Sequence, residues 1–241
     1  MNDPRDDARD DPRVLGPGAV PGSPVLGAAP DVWLARVADH VPAPGFEAGR
    51  AMLDAAELAR YEAFLRPADR DMYAVAHIAL RRLLGAYRGE DPGSVVLVRE
   101  DCPVCGGPHG RPAVAGGGGP HFSLSHSAGL VLLAFAATPV GVDVEEIPAP
   151  GVVAELREAI LHPGERAELD ALPPAERAAA FGRCWARKEA YLKGTGAGLA
   201  DNPDRTRVGV GPVPYPVPGW TVTDLAVPAG HSAALATATT C

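Results

Sequence analysis

Lysine is nearly absent from this chain of 241 residues, because only Lys188 and Lys193 among its 22 basic residues are lysines. Positive charge is scarce overall, since 30 acidic residues leave a net charge of −8. Proteins bind the phosphate backbone of nucleic acids through a basic field. We therefore expect no nucleic-acid partner.

The chain also lacks long apolar runs and has few cysteines. Its best apolar run, residues 130–142, is too short to span a bilayer and contains Pro139. The acidic first residues contain no apolar stretch, so we expect no signal peptide. Without an export signal, the four cysteines are expected to be thiols. These absences predict a cytoplasmic protein with no membrane partner.

The patterns that are present indicate an α+β fold. Residues 1–30 are rich in Asp, Pro and Gly and have no apolar periodicity, which predicts a disordered leader. Apolar spacing predicts helices at 51–64, 69–87, 151–161 and 174–193, and strands at 31–37, 95–99, 121–125, 130–136 and 140–147, with more strands in 207–240. We divide the chain into the leader (1–30), an N-terminal half (31–138) and a C-terminal half (139–241).

The strand predicted at 140–147 has an acidic face. Its period of two places Val142 and Val144 on one face and Asp143 and Glu145 on the other. Paired carboxylates of this kind suit Mg²⁺, which takes one or two carboxylates and completes its shell with water and phosphate. For this stretch alone, an edge strand with a solvated acidic face is the favoured interpretation.

The last predicted helix places Trp185, Glu189 and Lys193 on one face, because they recur every four residues. An ordinary surface ion pair between Glu189 and Lys193 would have the same spacing. However, the chain uses arginine almost everywhere else. Retention of lysine here indicates a need for a compact ammonium group that can give up a proton. Lys193 is therefore a candidate proton donor.

Residues 121–129 predict a hairpin that presents Ser125 and His126. Neighbouring residues of a strand point to opposite faces, so the two are poorly placed to act as nucleophile and base. Phosphate binding is favoured over a hydrolase site. Upstream, Cys102 and Cys105 with His109 are compatible with a zinc site. A second cysteine pair is missing, so a rigid, reduced turn is favoured over zinc.

Four motifs in order resemble those of the Sfp-type 4′-phosphopantetheinyl transferases, and they cover about residues 60–200. They are Gly110-Arg-Pro112, Phe122-Ser-Leu-Ser-His-Ser127, Gly141-Val-Asp-Val-Glu145 and Trp185-x-x-Lys188-Glu189-x-x-x-Lys193. The resemblance implies two similar α/β halves related by a pseudo-two-fold axis, with the active site in the cleft between them.

The resemblance also implies an activity of the holo-[acyl-carrier-protein] synthase type. Phosphopantetheine would pass from coenzyme A to a serine of an apo acyl or peptidyl carrier protein, with release of 3′,5′-ADP. The implied Mg²⁺ ligands are Asp143, Glu145 and Glu189. The implied catalytic residues are Glu189, which helps to deprotonate the serine, and Lys193, which neutralises or protonates the leaving group. The implied coenzyme A ligands are Arg70, Arg111, Ser125, His126, Lys188 and Lys193. The family commonly has lysine at the position of Arg111.

Two other functions fit the same residues. A magnesium-dependent phosphoesterase acting on a nucleotide such as coenzyme A would use water as its nucleophile, and a non-catalytic binding module would leave the acidic strand as solvated surface. We expect a monomer. The pathway served, whether fatty acid, polyketide or nonribosomal peptide synthesis, does not follow from the sequence.

Overall fold

The fold is α+β, as the sequence predicts, with two main sheets that are each covered by a long helix. The computed structural model describes residues 11–18, 20 and 24–239. The strands are β1 (Arg13–Val14), β2 (Asp31–Arg36), β3 (Leu97–Arg99), β4 (Pro112–Val114), β5 (His121–Ser127), β6 (Leu130–Ala136), β7 (Val140–Glu146), β8 (Trp220–Asp224) and β9 (His231–Ala238). The helices are α1 (Val37–His40), α2 (Phe46–Arg50), α3 (Ala55–Ala63), α4 (Pro67–Arg88), α5 (Pro150–Ile160), α6 (Pro163–Ala171) and α7 (Pro174–Thr195).

The first sheet has the strand order β1-β2-β6-β5, and β6 is buried along its whole length. A continuous apolar run such as that of β6 is typical of a strand covered on both faces. Helix α4 covers one face, where Val75 and Leu83 belong to the same core cluster as Trp33, Leu133 and Phe135. The helix begins at a proline and ends before Gly89, whose φ of 68° closes it in the left-handed conformation.

The second sheet has the order β7-β9-β8 and is covered by α7. Two glycines allow this helix to lie directly on β7. A Cβ atom on Gly141 would come within 1.9 Å of the carbonyl oxygen of Ala190 and within 2.4 Å of the amide nitrogen of Gly194. The close approach fixes which residues of α7 stand beside the acidic face of β7.

The two sheets meet along β5 and β7, where serine side chains bridge the strands. The amide of Val142 donates to Ser123 Oγ at 3.0 Å, and the amide of Glu146 donates to Ser127 Oγ at 3.2 Å. Behind this seam, Leu132 of the first sheet and Val142 of the second belong to one buried cluster. The halves therefore share a core. Their boundary at residues 138–139 and their pseudo-two-fold relation stay predictions.

The prediction of a disordered leader is wrong for part of its length. Arg13 and Val14 pair in parallel with Trp33 and Leu34, and Leu15 is only 3% exposed. This pairing is long-range, so local composition could not reveal it. Residues 1–10, 19 and 21–23 of the predicted leader lie outside the described residues. Four further elements were not predicted: the short helices α1 and α2, the strand β4 and the helix α6.

Among the helices in the described part of the chain, none is long and apolar enough to cross a membrane.

Candidate active site

A cleft of about 620 Å³ lies between the two halves. The first half contributes Tyr73 and His77 from α4 and Arg111 from the β3–β4 connection, and α7 contributes Lys193. Helix α7 ends at Thr195, and Gly196 caps it in the left-handed conformation with a φ of 80°. The chain therefore turns at the cleft wall, to which Gly196 belongs.

Lys193 connects the cleft with the acidic face of β7. Its ammonium group lies 2.6 Å from Asp143 Oδ1 and 2.9 Å from Ser125 Oγ. Ser125 also donates to Asp143 Oδ1 at 2.7 Å. Asp143 is 1% exposed, yet its other oxygen, Oδ2, is buried without a hydrogen-bond partner. A buried carboxylate oxygen with no partner is costly, so this atom is a candidate ligand for a cation.

Two further carboxylates lie in the electrostatic field of Asp143. Burial raises the pKa of Glu189, and the negative charges of Asp143 and Glu145 raise it further, while Lys193 opposes them. Burial and Asp143 likewise raise the pKa of Glu145, against the hydrogen bond from Trp185 Nε1 at 3.2 Å. Asp143 and Glu145 of β7 and Glu189 and Lys193 of α7 therefore lie near enough for their charges to interact. Their role as a metal site stays a prediction.

This donor set fits a hard divalent cation. All the candidate ligand atoms are carboxylate oxygens, which Mg²⁺ prefers. Burial is the main cause of the raised pKa values of Glu145 and Glu189, and the negative charge of Asp143 adds to both. The oxygens of Asp143, Glu145 and Glu189 do not all lie within 4.8 Å of one another in the described structure.

The residues predicted to bind coenzyme A differ in their position relative to the cleft. Arg111 lines the cleft, where it pairs with Glu100 at 2.8 Å and donates to the carbonyl of Gly194 at 3.0 Å. His126 is exposed and shares the face of Leu124, which lines the cleft. Ser125 is buried between Asp143 and Lys193, so its hydroxyl supports the acidic site instead of facing open solvent.

Arg70 is not among the residues that line the cleft. Its guanidinium group donates to the carbonyl of Phe64 at 2.9 Å and lies over the ring of Tyr61, with 5.5 Å between guanidinium carbon and ring centroid. The carbonyl and the ring hold the side chain against the end of α3.

Lys188 is also placed away from any phosphate. It is 1% exposed, and its ammonium group contacts Glu165 Oε2 at 2.7 Å and donates to the carbonyls of Pro203 at 2.9 Å and Thr206 at 2.6 Å. These three oxygens use its three protons, so the structure contradicts a phosphate contact by Lys188. One step around the helix from Glu189, the side chain points into the core of the second half.

Sequence reasoning missed a second polar cluster in the cleft wall. Glu57 accepts from Arg81 at 2.6 Å and lies 2.8 Å from His77 Nδ1. His77 and Arg81 lie 20 and 24 residues from Glu57 in the sequence. No helix or strand spacing could therefore predict these contacts. The bridging role of Ser123 and Ser127 was also missed, although serines at alternate positions of one strand share a face and the pattern could have revealed it.

Carboxylates around a buried oxygen without a partner, with an ammonium group at a cleft, are groups that a cation-assisted phosphoryl-transfer site would use. The family model described as the 4′-phosphopantetheinyl transferase superfamily matches residues 139–218. The 4′-phosphopantetheinyl transferase HetI of Nostoc sp. is 33% identical over 174 residues, which cover 70% of this chain and 70% of that protein. The chain belongs to the 4′-phosphopantetheinyl transferase superfamily.

Two other relatives cover less. The 4′-phosphopantetheinyl transferase AcpT of Salmonella typhimurium is 37% identical over 108 residues, or 43% of this chain and 56% of that protein. The 4′-phosphopantetheinyl transferase Sfp of Bacillus subtilis (strain 168) is 29% identical over 92 residues, or 38% of this chain and 40% of that protein.

Proposed function

We propose that this chain transfers 4′-phosphopantetheine from coenzyme A to a serine of an apo acyl or peptidyl carrier protein, with Mg²⁺ as cofactor. The observation that carries the proposal is the buried Asp143 Oδ2, which has no hydrogen-bond partner and belongs to the carboxylate that pairs with Lys193 at the cleft. Glu145 and Glu189 lie near enough for their charges to interact with that of Asp143. Membership of the superfamily supplies the substrate class.

The reaction exchanges one bond to phosphorus for another. The serine oxygen of the carrier attacks the β-phosphorus of coenzyme A, and the bond from that phosphorus to the bridging oxygen breaks, so that 3′,5′-ADP leaves with the electron pair. The serine proton passes to Glu189, directly or through water. Glu189 suits this task because burial and neighbouring charges raise its pKa towards the range of a useful base.

The other residues bind and neutralise charge. Asp143, Glu145 and Glu189 would hold Mg²⁺, which supplies charge neutralisation on the diphosphate when it is bound. Lys193, whose side chain is 30% exposed at the cleft, stabilises or protonates the departing phosphate. Arg111 lines the cleft and would bind the nucleotide end of coenzyme A. His126 is exposed on the same face of β5 as Leu124 and would bind that end as well. Trp185 and Ser127 orient Glu145 through hydrogen bonds to its two oxygens.

The experiment is to incubate the protein with coenzyme A, Mg²⁺ and a panel of apo acyl and peptidyl carriers, and to measure the intact mass of each carrier. We expect at least one carrier to gain the mass of phosphopantetheine, and EDTA to prevent the gain. If no carrier gains it under conditions where a known transferase works, the proposal is wrong.

The same assay separates the alternatives. Breakdown of coenzyme A without any carrier would indicate the phosphoesterase. Coenzyme A binding that is identical with and without EDTA in a calorimetric titration, together with no turnover, would indicate a binding module. Ranking the panel by kcat/KM would show whether the chain prefers carriers of fatty acid, polyketide or nonribosomal peptide synthesis.

A further inference from the structure

The connection between β3 and β4 carries three side chains that the transfer reaction does not use. Cys102, Cys105 and His109 place one potential ligand atom each so that all three lie within 4.8 Å of one another. Cys105 Sγ is 3.0 Å from His109 Nε2. Among the described residues, no other group of three or more His, Cys, Asp and Glu side chains meets this spacing.

The backbone around Cys102 is folded to present its sulfur. The Cys102 amide donates to the carbonyl of Gly107 at 2.7 Å, and the Gly106 amide donates to the carbonyl of Cys102 at 2.8 Å. Gly106 has a φ of 72°, which favours glycine. The amides of Cys105 and Val104 are directed at the Cys102 sulfur. Amides directed at a sulfur stabilise a thiolate, the form that binds metals.

Two more glycines allow the loop to close tightly around these ligands. A Cβ atom on Gly107 would lie 3.0 Å from the ring of His109 and 3.4 Å from Cys105 Sγ. A Cβ atom on Gly110 would lie 2.6 Å from the carbonyl oxygen of Glu100, where the two ends of the loop meet. The sequence therefore keeps small residues where the imidazole and the thiol must approach each other.

We propose that Cys102, Cys105 and His109 bind a zinc ion, with water in the fourth position. Thiolate and imidazole ligands are the set that zinc prefers, and tetrahedral bonds of about 2.0–2.3 Å place ligand atoms roughly 3.5 Å apart. The sequence favoured a metal-free turn because a second cysteine pair is missing. The structure instead supplies His109 as a third ligand, and exposure of Cys105 and His109 leaves room for the water.

The site would restrain one wall of the cleft. Gly110 and Arg111 directly follow His109, the last proposed ligand. His109, Gly110 and Arg111 all line the cleft. The Arg111 carbonyl accepts from the amide of Glu100 at 2.9 Å, which closes the base of the loop. A metal ion at its tip would therefore hold the loop at both ends. The site lies outside the carboxylate cluster, so zinc binding does not depend on the proposed transfer reaction.

The test is the zinc content of the untagged full-length chain, purified without chelators and measured by mass spectrometry of the metal. We expect about one zinc per chain, and loss of most of it in Cys105→Ser and in His109→Ala. Replacement of zinc by Co²⁺ should give sulfur-to-cobalt charge-transfer absorption. That absorption should fall by more than half in Cys105→Ser, because one of the two thiolates is removed and most of the bound metal is lost with it.

Matched controls are Cys184→Ala and His231→Ala, which remove a thiol and an imidazole elsewhere in the fold and should keep the zinc. Circular dichroism checks that every variant is folded. The proposal is overturned if the unchanged chain holds well below one zinc after incubation with Zn²⁺. It is equally overturned if Cys105→Ser and His109→Ala retain zinc as the controls do, or if Cys102 and Cys105 are found joined as a disulfide in the purified protein.

Discussion

Glu189 lies where two requirements of the proposed reaction meet. It shares the negative field of Asp143 and Glu145, which a cation would neutralise, and its burial raises the pKa of its carboxyl group. Glu189→Gln replaces the carboxylate with a neutral amide of similar size. The variant loses both the negative charge that would bind the cation and the oxygen that would accept the proton.

We therefore expect Glu189→Gln to lower kcat for carrier modification by at least about 10²-fold, the usual contribution of a positioned base. Glu176→Gln, an exposed change on the same helix, should transfer at nearly the rate of the unchanged protein. Mass spectrometry of the carrier over time measures both. Retained activity in folded Glu189→Gln would remove this residue from the mechanism.

Lys188 and Glu165 form a buried ion pair whose role is structural. Burial alone would raise the pKa of Glu165, but Lys188 and the amides of Val208 and Gly209 outweigh it and hold the pKa below its ordinary value. A carboxyl group with a lowered folded-state pKa stabilises the protein above the ordinary glutamate range. This stability is lost as the pH falls through the folded-state pKa.

Glu165→Gln should lower the free energy of unfolding by about 3–5 kcal/mol at neutral pH, because it leaves the Lys188 ammonium group buried without its counter-charge. The difference from the unchanged protein should shrink as the pH falls below the ordinary glutamate range. Urea unfolding at several pH values measures it. A difference that stays constant with pH would contradict the ion pair, and a raised KM for coenzyme A in the folded variant would restore the phosphate role of Lys188.

At the scale of elements, the packing of α7 on β7 positions the site. Gly141→Ala places a methyl group where the carbonyl of Ala190 already lies, so the helix must move. We expect a loss of stability at the upper end of the roughly 1–3 kcal/mol that overpacking costs, together with reduced transfer.

The matched control is Gly151→Ala in α5, where an added Cβ meets nothing within 4 Å. Alanine favours helix, so this variant should be as stable as the unchanged protein or slightly more stable. Thermal unfolding followed by circular dichroism compares the two. Equal midpoints for Gly141→Ala and Gly151→Ala would show that the close approach of α7 does not constrain the site.

The sequence predicts the elements of the site because their periods are local. Alternation along β7 puts Asp143 and Val144 on opposite faces of the strand. A spacing of four residues puts Glu189 and Lys193 on the same face of α7. It does not predict that Lys188 meets Glu165, since that requires α6. The local signal for α6 was present, because Pro163 starts the helix and Glu165 caps it through the amide of His162. The pairing of β1 with β2 has no such signal.

At the scale of the whole molecule, the two halves share one buried cluster. Leu132 of β6 and Val142 of β7 belong to it, although their strands are in different sheets. Trp33 reports on the first sheet, where its Nε1 donates to the hydroxyl of Tyr87 at 3.1 Å. Trp220 reports on the second, where its ring centroid lies 5.6 Å from that of Tyr191. A shared core predicts that the halves unfold together.

Leu132→Ala should therefore lower the free energy of unfolding by about 2–5 kcal/mol. The unfolding midpoints measured by the fluorescence of Trp33 and of Trp220 should fall equally. The two signals can be separated by replacing the other tryptophans with phenylalanine. If the Trp220 midpoint stays in place while the Trp33 midpoint falls, the halves are independent folding units. In that case the serine bridges between β5 and β7 alone would have to hold the carboxylates of the second half against the cleft wall of the first.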